Sequence, residues 1–267
     1  MLSWPRTVHE AAMIFRDAPG ATRLFIPQPA HALLAGQMMA AWGAPGFARP
    51  DPPTEVILAA GQHDLAWMAW EAAPTLDPGT GRPYQFTDFG AAIHAPRWAA
   101  AVEMARAAWG LWPALLISRH GTLIYTRYAN PARDTAEDKA AAARYLEEQG
   151  ALQRAWAAAL AAPPEKVDRN AALVAVADAI SLTLCFARPG PAGEAPMEDG
   201  TLAPLTLAKR GAAQWTLSPW PFREGSLTLR CEVIRLPAET RWTDEATMHR
   251  DLRTAPRMNL VETLTPG

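Results

Sequence analysis

Six positions carry side chains suited to hold a transition metal: His31, the adjacent pair His63 and Asp64, His94, His120 and Asp178. Imidazole nitrogen together with carboxylate oxygen suits Mn, Fe, Co, Ni or Zn, whereas Mg and Ca sites are usually all oxygen. Neighbouring residues on a helix point about 100° apart, so His63 and Asp64 both face inward only near a helix end or bend. Gly61 before them and Trp67 and Trp70 after them fit such a bend against a pocket. With His31 and His63 on one ion, Asp64 has the oxygens to bridge to a second, and Asp178 completes the first site from a distant helix. A plainer reading stands beside this one. A lone helical histidine among Ala and Leu is more often a hydrogen-bonded packing residue than a ligand, which applies to His94 and leaves His120 ambiguous. Asp178 resists the plainer reading, because it lies between Val176 and Ile180 on an apolar helix, where a carboxylate without a cation or strong hydrogen bonds is costly.

Metal ions held this way lower the pKa of bound water and stabilise charge on attacking and leaving oxygens, which is hydrolase chemistry. Asp64 would act at the centre of it. Arg82, in a long loop, and Arg119, next to His120, are candidates to bind an anionic small-molecule substrate, or else ordinary surface residues. Glu71 and Asp77 are candidate acid/base groups, although Asp77 within Leu-Asp-Pro-Gly is equally a turn former. Trp67, Trp70, Tyr84 and Phe86 fit either an apolar pocket wall or common core. There is no P-loop, no G-x-G-x-x-G and no G-x-S-x-G, so Ser118 and Ser181 read as packing or cap residues. His9 and His249 lie outside the helical stretch and suit the surface, while Cys185 follows an apolar run and suits the interior.

The elements that must position these groups are legible in part. Met13–Arg16 and Thr22–Ile26 form a hairpin pattern around a Pro-Gly turn. Helical periodicity then dominates from about 28 to 186, opening at Gln28, with a second helix after Asp51-Pro52-Pro53 and further helices near 90–109, 112–127, 135–161 and 168–186. An irregular stretch over 74–86 interrupts them, and Arg188–Gly193 is a turn-rich connector. Trp215–Leu217, Ser226–Val233 and residues 259–264 have strand character. The expected architecture is mainly α: a helical body against a small antiparallel sheet made of N- and C-terminal strands. Residues 1–12 are an extension, 13–267 one domain, and the C-terminal strands occupy about 213–264.

Composition narrows the partners. The 267 residues are 49% hydrophobic and 19% charged, as in a compact protein with a sizeable core. A formal charge of −2 provides no field for a polyanion, so nucleic acid is not the expected partner. Two cysteines, with no C-x-x-C, suit a reducing cytoplasm. No apolar run reaches the ~18 residues of a membrane helix, and Arg6, His9 and Glu10 interrupt any signal-peptide pattern, so no membrane contact is expected.

The order His31, His63-Asp64, His94, His120, Asp178 resembles the HD-domain superfamily of metal-dependent enzymes, over about residues 28–186. More narrowly, Gln28-Pro29-Ala30-His31, His63-Asp64-Leu65-Ala66-Trp67, the Pro74–Tyr84 stretch and Ser218-Pro219-Trp220-Pro221-Phe222 resemble the DUF3891 family, over about 13–264. The HD resemblance implies an HD-like helical body in which His31, His63, Asp64 and Asp178 hold a first ion, while His94 and His120 hold a second bridged by Asp64. It further implies a hydrolase acting on a small phosphoester through metal-activated water. A di-iron oxygenase acting on a small organic substrate has the same ligand order, and a noncatalytic metal-containing binding protein is a third reading. The chain departs from many HD phosphohydrolases in having Leu65-Ala66-Trp67 where they have Gly and a phosphate-holding Lys.

Overall fold

A computed structural model of the chain describes residues 13–85, 88–127 and 132–267; the extension over 1–12, with His9, and the wall residue Phe86 lie outside the described residues. The chain opens with a hairpin of β1 (Ile14–Ala18) and β2 (Thr22–Ile26) in antiparallel register, Ile14 opposite Ile26. Helix α1 (Gln28–Ala41) follows at once, with Pro29 in its first turn, where a missing N–H costs nothing. Next come α2 (Pro53–Gly61), a single 3-10 turn over Leu65–Trp67 and the short α3 (Met68–Glu71). The 74–86 stretch holds a minimal hairpin, β3 (Leu76–Asp77) with β4 (Arg82–Pro83). Four helices then pack together: α4 (Ala91–Trp109), α5 (Leu111–Arg127), α6 (Ala136–Ala159) and α7 (Pro164–Cys185). The remainder is β5 (Gly190–Pro196), β6 (Leu202–Lys209), β7 (Gln214–Ser218), β8 (Leu227–Pro237), α8 (Glu245–Thr254) and β9 (Arg257–Pro266).

The expectation of a mainly α, HD-like helical body with a small antiparallel sheet is corrected. The chain is 49% helix and 24% strand, and one seven-stranded sheet runs in the order β1-β2-β8-β9-β7-β6-β5. It is also mixed, since β7 and β9 run parallel while their other neighbours are antiparallel. The strands that enlarge it are those whose composition hides them. β5 contains Gly190, Pro191, Gly193 and Pro196, which reads as a connector; it lies at the sheet edge, where proline is tolerated because one side of the strand has no ladder, and a register shift falls between Pro191 and Glu194.

Helix α1 joins the two halves of the molecule. It packs on α2 and α7 on one side and on β8 on the other, burying Leu34, Met38, Met39 and Trp42. Two glycines set its distance from α2. A Cβ at Gly36 would meet the Gly61 Cα at 2.9 Å, so the backbones approach more closely than alanine allows. His31 stands five residues before Gly36, and His63 two after Gly61, so this crossing brings the two imidazoles together.

Candidate metal centre

Helix α2 stops at Gly61, and the chain turns through Gln62 (φ −129°, ψ 11°) to Asp64 (φ −100°, ψ 21°) before the 3-10 turn begins. That break removes the 100° divergence of adjacent helical residues, and His63 and Asp64 are both buried. Helix α1 supplies His31, α5 supplies His120, and α7 supplies Asp178 with Ser181 one turn later on the same face. His31, His63 and Asp64 form one group whose ligand atoms lie within 4.8 Å of one another, and His63, His120 and Asp178 form a second, sharing His63.

The hydrogen bonds fix which ring nitrogens face the carboxylates. Ser181 Oγ–H donates to the Asp178 carbonyl at 2.8 Å, so in its 2.7 Å bond with His31 it accepts, which places the proton on His31 Nδ1. His63 Nδ1 lies 2.7 Å from the Ala60 carbonyl, which only accepts, so it too carries a proton. In the neutral ring, each Nε2 then presents a lone pair. His31 Nε2 is 2.5 Å from Asp64 Oδ2, and His63 Nε2 is 3.3 Å from Asp178 Oδ1 and 3.6 Å from Asp64 Oδ2. Lone pairs held against carboxylates repel unless a cation lies between them, either a proton or a metal. His63 Nε2 and His120 Nδ1 are both enclosed without a hydrogen-bond partner among the described residues. These residues fit a transition metal: imidazole and carboxylate donors converge, and the far nitrogens of His31 and His63 are oriented by protein acceptors.

The electrostatics agree. Burial pushes His63 down, but the Asp64 and Asp178 carboxylates outweigh it and raise its pKa to about 9, so without metal a proton occupies the gap. Burial likewise opposes ionisation of Asp178, yet the His63 imidazole holds its carboxyl well below the usual range. His120 is pushed down to about 4 by burial and by the neighbouring His63, and stays neutral. Asp178 keeps 16% exposure, so solvent reaches this edge of the cluster. Near Asp64, Glu71 is half-buried; its Oε1 accepts from the Gln28 N–H at 2.7 Å, and its Oε2 is enclosed without a partner among the described residues. Burial pushes that carboxyl well above its ordinary value.

Other sequence candidates lie elsewhere. His94 is outside both groups of converging ligand atoms found among the described residues; its Nδ1 is hydrogen-bonded to Tyr125 Oη at 2.7 Å and the rings stack at 5.2 Å. Arg119 pairs with Asp168 on an exposed face. Arg82 donates to the Ala238 carbonyl at 3.0 Å and lies near Arg23 and Arg241. Asp77 accepts from the Gly79 N–H, as a turn former does. Trp67 is part of a wall, with Phe89 stacked at 6.2 Å and Trp70, Trp98 and His94 around it, and Trp98 reaches His120 at 6.0 Å. Tyr84 joins through Phe89.

Two residues were missed. Ser181 reads as a packing residue until the 178/181 spacing on one helical face is used, which places it beside whatever Asp178 touches. Arg97 lies one turn after His94 on α4; its guanidinium lies 5.6 Å over Phe89, and its Nη1 is enclosed without an acceptor among the described residues.

No curated protein and no solved structure matches the chain. The family comparison does: the model described as protein of unknown function (DUF3891) matches residues 13–238, and its span includes all five clustered residues together with the hairpin and the glycine crossing. The chain belongs to the DUF3891 family.

Proposed function

We propose that this protein is a metal-dependent hydrolase in which His31, His63, Asp64 and Asp178 hold one divalent transition-metal ion, Fe, Mn, Co, Ni or Zn. What carries the reading is the pair of Nε2 lone pairs, pinned by Ser181 and Ala60, that face two carboxylates across a gap only a cation makes favourable. When bound there, a divalent ion supplies Lewis acidity and lowers the pKa of water from about 15.7 toward about 7. The chain's own residues supply the rest. Asp178 leaves the cluster open to solvent on one side, and the neutral His120 lies against the His63 ring at 4.7 Å. Burial favours the protonated form of Glu71, and its Oε2, without a partner among the described residues, is the atom from which a leaving group would receive a proton. Arg97 stands beside the Trp67 wall with a free N–H for an anionic substrate, which favours a small phosphoester over a neutral compound.

The HD-type likeness belongs to this proposal as ligand order. The di-iron oxygenase alternative requires a second ion, and His94 lies outside the groups of converging ligand atoms among the described residues, which weighs against it. Hydrolysis of p-nitrophenyl phosphate by protein purified without chelator, then stripped and reloaded with Mn, Co, Ni, Zn or Fe, tests the activity. Turnover that needs the metal and falls at least about a hundredfold in Glu71→Gln supports the reading. Iron that changes its visible absorption on oxidation, with no hydrolysis, would replace it with the oxygenase, and tightly held metal with neither activity would leave a binding protein.

A further inference from the structure

The arginine expected to serve the centre belongs to a different cluster. Arg82 on β4, Arg23 on β2 and Arg241 in the segment between β8 and α8 converge at the loop after β8. Arg82 Nη2 and Arg241 Nη1 both donate to the single carbonyl of Ala238, at 3.0 Å and 3.3 Å, and Arg241 Nη1 also reaches the Thr240 carbonyl at 2.8 Å. The one carboxylate drawn in is Asp17, which takes Arg23 Nε at 2.6 Å. Among the described residues, three guanidinium groups thus meet one carboxylate, and the hydrogen bonds that Arg82 and Arg241 make go to neutral carbonyls. Arg82 Nε is enclosed with no acceptor. Burial first, and then the neighbouring Arg23 and Arg241, push Arg82 down to about 10, while Asp17 opposes the shift.

The backbone holds the cluster in place. Gly81 is at φ 65°, and a Cβ there would lie 3.2 Å from the Arg241 side chain; the Trp242 N–H donates to the Gly81 carbonyl at 2.8 Å, tying the β3–β4 hairpin to the Arg241 segment. None of Arg23, Arg82 or Arg241 contacts the five clustered ligands, so this is a separate place on the molecule.

We propose that Arg23, Arg82 and Arg241 form a second site that binds a phosphoryl group. Guanidinium forks match phosphate oxygens in pairs, and a dianion answers the two uncompensated charges where a single carboxylate does not. Asp17 is then the internal competitor, a weak substitute for the ligand on Arg23.

Calorimetric titration of the full chain with inorganic phosphate tests this, with metal content measured on every sample. Unaltered protein should bind phosphate, with affinity falling at least about tenfold in both Arg82→Gln and Arg241→Gln, while Asp17→Asn binds more tightly. Both arginine variants should keep their metal content and their thermal unfolding. Phosphate bound equally by both arginine variants and lost in His63→Ala would place the anion at the metal centre and overturn the proposal, as would absence of binding in the unaltered protein. A chain that holds no metal yet binds phosphate through Arg82 would remove the hydrolase reading and leave this site standing.

Discussion

At the scale of the residue, the account turns on where two protons sit. Ser181 and the Ala60 carbonyl each accept from an imidazole Nδ1–H, and so turn the Nε2 atoms of His31 and His63 toward Asp64 and Asp178. Replacing Ser181 by Ala leaves all five clustered side chains in place but frees the His31 tautomer. Metal affinity should fall about 10- to 100-fold, as loss of an orienting partner does elsewhere, with the thermal midpoint of the metal-free chain nearly unchanged. A competition titration against a coloured chelator measures it; unchanged affinity would show that Ser181 merely packs. The ligand types were legible in the sequence because few reasons exist for Asp178 on an apolar helix. His94 was not, because its partner Tyr125 is 31 residues away and a neutral phenol leaves no trace in the spacing. Arg82 and Arg119 were chosen by adjacency along the chain, whereas Arg97 lies one helical turn from His94 with its guanidinium over Phe89.

At the scale of the element, the crossing of α1 and α2 sets the gap between His31 and His63. A methyl at Gly36 meets the Gly61 backbone at 2.9 Å, and backbone gives less readily than a side chain. Gly36→Ala should cost about 1–3 kcal/mol and weaken metal binding as the helices part. Gly225→Ala, with nothing within 4 Å of the added carbon, is the control and should change neither. Unfolding in urea, with and without metal, reads both effects; equal stability of the two variants would contradict the close approach. The end of α2 at Gly61 was legible because His63 and Asp64 have no shared inward direction mid-helix. Strand β5 was not, because its glycines and prolines are turn formers wherever sheet position is unknown, and position is fixed only by the strands it meets.

At the scale of the whole molecule, the sheet joins both ends of the chain. Arg16 on β1 meets Glu262 on β9 at 2.5 Å, and Glu262 also accepts from the Trp215 indole at 2.7 Å, all beneath α7. Stability against pH is the property that sums over this assembly. In metal-free protein, the raised His63 keeps a proton that the unfolded chain releases near 6.5, so its contribution is full below about 6.5 and lost as pH rises through about 9. His94 and His120, each pushed down to about 4, behave oppositely: the unfolded chain takes protons that the native one refuses, so stability falls as pH drops from about 6.5 toward 4. Urea unfolding in chelator should therefore show a maximum near pH 6.5, and metal should flatten the alkaline side by replacing the His63 proton. A stability that keeps rising to pH 9 without metal would contradict the charge arrangement.

Metal content per chain is the most direct measurement. Protein produced in medium containing Mn, Fe, Co, Ni and Zn, purified without chelator and analysed by plasma mass spectrometry, should carry close to one transition-metal ion per chain. His63→Ala and Asp64→Ala should each lose it while retaining their far-ultraviolet circular dichroism. Stoichiometric metal retained in both variants, or no metal in the unaltered protein under any of these supplies, would contradict the account.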